Sequence, residues 1–116
     1  MFTSIVDRSP LNFYETSEGY HIQVALPGVL EKDIHIKFEK GYLSISGQRR
    51  DEQKESERRR YHNMEIRQGP FERRLFIGEE GDFGRAQTSC QNGILGLFIP
   101  KRIKRVVEVQ IEEEKE

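Results

Sequence analysis

Apolar residues recur at every second position through most of this chain. Leu11 and Phe13 begin the pattern, and Tyr20, Ile22, Val24 and Leu26 continue it, each set interleaved with polar or small residues. Ile34, Ile36 and Phe38 alternate with His35, Lys37 and Glu39, and Leu43, Ile45 and Gly47 with Tyr42, Ser44 and Ser46. Phe71, Leu75 and Ile77 repeat the spacing, with Arg73 standing on the same face. A two-residue period places each set on one side of a β-strand and leaves the other side wet, as in antiparallel pairing. Ser17-Glu18-Gly19, Pro27-Gly28, Lys40-Gly41 and Gly69-Pro70 supply turns between these runs. Ala86, Thr88 and Cys90 read as a weaker strand leading into Asn92-Gly93, a strong turn signal because both residues tolerate positive φ. The run that follows, Ile94 to Pro100, differs from the rest: Leu95, Leu97 and Ile99 occupy one face while Ile94, Gly96 and Phe98 occupy the other. A strand apolar on both faces wants cover on both, so a central or docking strand is expected there rather than a solvated hairpin arm.

Three stretches fall outside the alternation. Residues 1–10 carry little pattern; Phe2, Ile5 and Val6 form either a small sticky patch or part of a frayed end. Residues 49–60 hold six Arg or Lys and four Asp or Glu, a composition that excludes core and leaves a short surface helix or a mobile excursion. Tyr61, Met64 and Ile66 follow it. Beyond Pro100, a basic hinge (Lys101, Arg102, Lys104, Arg105) leads to Val107, Val109 and Ile111 and then to an acidic end.

Several short strands at close spacing, with no convincing amphipathic helix, predict an all-β fold, a β-sandwich of one domain. The chain has 116 residues, 34% apolar and 34% charged, so the core must be small and much of the surface ionic. A net charge of −1 offers no overall attraction to nucleic acid or to an anionic membrane. No apolar run approaches a membrane span, and no signal-peptide pattern opens the chain. The single cysteine, Cys90, is expected to be a small buried thiol, and the lack of any intrachain disulfide suits a cytoplasmic setting.

Four blocks in order resemble the small heat-shock protein family and its α-crystallin domain. They are Tyr20 to Gly28 (Y-x-I-x-V-x-L-P-G), Gly41 to Arg49 (G-x-L-x-I-x-G-x-R), Gly69 to Arg73 (G-x-F-x-R) and Asn92 to Lys101 (N-G-x-L-x-L-x-x-P-K). The resemblance implies an immunoglobulin-like antiparallel sandwich over residues 11–100, a short N-terminal arm at 1–10, a dimerisation loop at 48–70 and a C-terminal extension at 101–116. It further implies a homodimer in which a loop strand, Tyr61 to Ile66, is exchanged between subunits. Tyr61, His62, Met64, Ile66 and Arg73 are then dimerisation residues. An I-x-I-like tail motif is implied at Val107/Val109 or Val109/Ile111, docking in a neighbour's groove for which Ile34, Ile36, Phe38, Thr88 and Cys90 are candidates. Two departures stand out: Ile77-Gly78 replaces the family's Leu-Pro, and the long apolar N-terminal arm, which often drives higher assembly, is nearly absent.

The function implied is an ATP-independent holdase that binds partly unfolded clients and suppresses their aggregation. The alternative is a co-chaperone-type sandwich with a fixed, folded partner, although a monomeric adaptor needs neither a loop strand nor a tail motif. Catalytic, metal and cofactor chemistry finds no support: there is no phosphate-binding loop, no nucleophile elbow, and His21, His35 and His62 form no ligand-like spacing with Cys90. Arg58-Arg59-Arg60 lies beside Asp51, Glu52, Glu55 and Glu57, which favours an ion-pair face over nucleic-acid binding.

Overall fold

A computed structural model of the chain describes residues 9–50, 58–103 and 108–112. Among the described residues seven strands form two antiparallel sheets: β1 (Leu11–Glu15), β2 (Gly19–Ala25), β3 (Ile34–Glu39), β4 (Tyr42–Arg49), β5 (Gly69–Phe76), β6 (Gln87–Gln91) and β7 (Ile94–Pro100). One sheet runs β1-β2-β7-β6 and the other β3-β4-β5. The expected all-β sandwich is therefore present, with the two-residue alternation as its cause. Ile22, Val24, Leu43, Ile45 and Ile99 are almost completely buried between the sheets, and Leu26, Leu95, Leu97 and Phe71 extend that core.

Turn chemistry sets the register. Lys40-Gly41 and Asn92-Gly93 both hold positive φ at each residue, so β3–β4 and β6–β7 are joined by two-residue turns whose twist matches the strands. Gly47 has a different reason to be glycine: a Cβ there would be driven into the backbone carbonyl of Asp33 and crowd the Phe71 ring. Asp33 itself is buried, and its carboxylate accepts a hydrogen bond from Arg50 Nε at 3.0 Å. That pair fastens the point where β4 gives way to the charged excursion.

The Ile94–Pro100 strand is central, as expected, between β2 and β6. It is nevertheless also the second arm of a hairpin, and no second layer covers its outer face among the described residues. Ile94 remains 42% exposed. Along this open face the register aligns Tyr14, His21, Phe98 and Gln87 in one cross-strand row. Asn12, Gln23, Gly96 and Ser89 form the next.

Candidate functional site

Two features of the sandwich are incomplete in the single chain, and both arise from its edges. The first is β1, which has β2 on one side and no strand on the other among the described residues. An unpaired edge presents a row of backbone donors and acceptors that can template another strand. Phe13 and Tyr14 on this edge are 40% and 48% exposed.

Residues 58–68 lie in neither helix nor strand. Tyr61, His62, Met64 and Ile66 are all exposed, Ile66 at 77%. Local polar contacts hold the segment loosely: Arg59 Nη1 donates to the Tyr61 hydroxyl at 3.0 Å and Asn63 Nδ2 to Glu65 Oε2 at 3.0 Å. The helical reading of the excursion fails for these residues; its acidic middle, 51–57, lies outside the described residues. Arg73 sits on β5 opposite Ile45, half-buried on the inner face with Phe71 and Leu75 as the alternation required.

The second feature is a groove between the sheets. The edge strands β3 and β6 leave a cavity of about 390 Å³, lined by Glu31, Ile34, Ile36, Thr88, Cys90 and Leu95 among others. Four of the five residues singled out from sequence are thus brought together. The fifth, Phe38, lies beyond the cavity and stacks on Phe83, centroids 4.3 Å apart and planes at 20°.

Cys90 requires a correction: it is exposed, not buried. As an edge strand, β6 has no layer sealing its inner face where the two sheets part. Burial against the groove wall, and secondarily the Glu31 carboxylate, push its thiol above the ordinary range.

The tail begins from a well-anchored root. Gly81 and Lys101 form a bridge, the Lys101 N–H donates to the Glu18 carbonyl, and the Arg102 N–H to the Glu80 carbonyl. Lys101 Nζ lies 2.9 Å from Glu15 Oε2 and 5.8 Å from the Tyr20 ring centroid. The hydrogen bond that Lys101 donates to the Glu15 carboxylate raises the Lys101 pKa. Sequence reading missed both contacts, because Glu15 and Lys101 meet only through the β1-β2-β7 pairing. Farther on, Val109 and Ile111 are 81% and 92% exposed and belong to no strand; Val107 lies outside the described residues. Residues 108–112 therefore do not complete the sandwich of their own chain.

Among the described residues no three His, Cys, Asp or Glu side chains cluster as metal ligands, and no helix is long and apolar enough to cross a membrane. The arrangement offers backbone pairing at β1 and apolar contact in the groove.

Comparison with known proteins agrees with this geometry. The Hsp20/alpha crystallin family matches residues 12–112. A small heat shock protein C2 of Rickettsia felis is 35% identical over 88 residues, covering 76% of this chain and 56% of that protein. A 16.9 kDa class I heat shock protein 3 of Oryza sativa subsp. japonica is 31% identical over 109 residues, covering 93% of this chain and 72% of that protein. Among solved structures, a small heat-shock protein from Xylella fastidiosa, described as revealing a distinct high order structure, superposes with a TM-score of 0.75. It is 29% identical, and the match covers 90% of this chain and 96% of that one. Heat shock protein 16.0 from Schizosaccharomyces pombe superposes at 0.71 with 28% identity, over 91% and 97% of the two chains.

Proposed function

The chain belongs to the Hsp20/alpha crystallin family, and from that premise we propose that it is an ATP-independent chaperone, a holdase that captures partly unfolded proteins and suppresses their aggregation. Membership supports the chaperone role. The observation that carries the finer reading is the coexistence, in one small sandwich, of an unpaired β1 edge, an open groove between β3 and β6, and two exposed apolar segments of matching chemistry.

Each segment has a natural seat. The stretch Tyr61 to Ile66 adds to the β1 edge of a second copy, giving a homodimer by strand exchange. Val109 with Ile111, or Val107 with Val109, inserts two aliphatic knobs into the groove of a neighbouring dimer. Each buried knob contributes about 1.5–3 kcal/mol before the entropy of ordering the tail is subtracted. Single contacts of that size are reversible, whereas several made at once hold through effective concentration. Warming or dilution frees the same apolar surfaces, and an unfolding client offers complementary segments. Burial at about 25 cal/mol per Å² drives capture without nucleotide.

The co-chaperone reading lacks a use for the loop segment and the tail. Light scattering separates the two. In nucleotide-free buffer, the protein at a near-equimolar ratio should suppress heat aggregation of an unrelated client such as citrate synthase. Unchanged aggregation of several unrelated clients would refute the holdase reading.

A further inference from the structure

The outer face of the β1-β2-β7-β6 sheet is unlike the rest of the surface. In a chain that is 34% charged, its outward positions on all four strands hold no Asp, Glu, Lys or Arg. The outer face of the other sheet, by contrast, displays Lys37, Glu39, Glu72 and Arg74. A trough crosses the uncharged face. One wall is a ladder of rings, one per strand: Tyr14 and His21 stack with centroids 4.7 Å apart and planes at 4°, and His21 meets Phe98 at 4.8 Å. The floor is the next cross-strand row, Gln23, Gly96 and Ser89. Gly96 keeps that floor low, since a Cβ there would come within 2.7 Å of Ser89 Oγ. The hollow so formed measures about 270 Å³. From β1 to β6 it crosses three strand intervals, roughly 14 Å.

The polar groups around this hollow are uncommitted. Among the described residues, the Gln87 and Ser89 side chains have no hydrogen-bond partner. Gln23 Oε1 accepts one long bond, 3.5 Å, from Asn12 Nδ2, and the Gln23 amide N–H groups stay unused. Each side-chain amide offers donor and acceptor side by side, and the serine hydroxyl offers both. The backbone, by contrast, is consumed: β2 and β7 are paired on both sides, so a peptide cannot add here as a strand. A phosphorylated ligand finds no cation on this face, and an anionic lipid surface finds no basic rim. The chemistry left is a neutral ligand with dense donors and acceptors at its edge and apolar C–H bonds for aromatic rings. A pyranose supplies both. Its hydroxyls radiate from the rim, and the C–H bonds on its faces are attracted by the negative π-clouds of the rings.

We propose that this trough is a binding site for neutral glycan, holding a short run of pyranose rings along the Tyr14–His21–Phe98 wall. Phe98 takes the C–H face of a sugar ring, while Gln23, Gln87 and Ser89 take its hydroxyls. An apolar wall with a few free polar groups around it is the usual make-up of a small-ligand site. The site is built from side chains on the open face of the sheet. It is therefore separate from the β1 edge and from the groove between β3 and β6, and independent of client capture, strand exchange and tail docking.

Saturation-transfer NMR on the intact protein tests it, with cellotriose, maltotriose and mannotriose as probes at millimolar concentration. The ring protons of at least one trisaccharide should receive saturation from the protein, and Phe98→Ala should cut that transfer several-fold. Gln87→Ala should do the same; Gln87 is exposed on an edge strand, so its loss separates binding from folding. Tyr42→Ala, on the opposite outer face, should leave transfer unchanged. No transfer to any of the three sugars would overturn the proposal, as would transfer that survives either trough substitution or falls equally in Tyr42→Ala. Transfer to N-acetylphenylalaninamide in place of the sugars, lost in Phe98→Ala, would assign the trough to apolar peptide side chains and equally overturn it.

Discussion

Gly47 shows how one position constrains the sandwich. Its φ is not positive, so conformational freedom does not explain it; the Asp33 carbonyl and the Phe71 ring occupy the space a side chain would need. Gly47→Ala must push the Glu31–Asp33 turn away from β4, and an overpacking cost of about 1–3 kcal/mol is expected. Urea unfolding measures it; a change under about 0.5 kcal/mol, typical of a surface site, would contradict the close approach. Arg73 poses a different question. It shares the inner face of β5 with Phe71 and Leu75 and lies opposite the buried Ile45. Arg73→Ala removes both an apolar stem and a charge from a half-buried position, so a loss of about 2 kcal/mol or more is expected. A surface-sized effect in the same unfolding experiment would make its placement incidental. The alternation alone placed Arg73 on that face. By contrast, Cys90 was misjudged because a two-residue period tells which face a residue takes, never whether that face is sealed. Sealing depends on how far β3 and β6 part, and that is a property of both sheets together.

At the scale of elements, hairpins and strand faces were legible because each rests on local chemistry: alternation for the strands, Lys40-Gly41 and Asn92-Gly93 for the turns. Pairings between distant elements were not. Nothing local announces that Glu15 meets Lys101 or that Phe83 stacks on Phe38. The two-faced pattern of β7 placed it at the centre of a sheet, but the cover it led one to expect on both faces is supplied on one side alone among the described residues. The groove offers a direct test of tail docking through Cys90. Its thiol pKa is raised, so the reactive thiolate is scarce at neutral pH and alkylation accelerates as pH climbs toward that pKa. A tail seated in the groove should shield the thiol. Val109→Gly with Ile111→Gly is therefore expected to speed iodoacetamide modification several-fold at pH 8 while leaving the melting temperature unchanged. Identical rates, or a lowered melting temperature with unchanged mass, would place the tail elsewhere.

The whole molecule is a small sandwich, and the proposed function lies at its boundaries. Its core is closed by Ile22, Val24, Leu43, Ile45 and Ile99, and everything left unsatisfied is peripheral: the β1 edge, the groove, residues 61–66 and the tail. On the proposed reading, copies of the chain that fill one another's vacancies would account for all four at once, and client capture would follow when those contacts loosen. The claim on which assembly and capture both rest is that the segment Tyr61 to Ile66 belongs to a neighbour's sheet edge. Sedimentation velocity at micromolar concentration tests it most directly, comparing the intact chain with one in which residues 52–66 are replaced by a short turn. The sandwich strands lie outside the deletion, so the shortened protein should stay folded and sediment as a monomer while the intact chain sediments as a dimer or larger. A shortened protein that remains dimeric, or an intact chain that is monomeric, would contradict it.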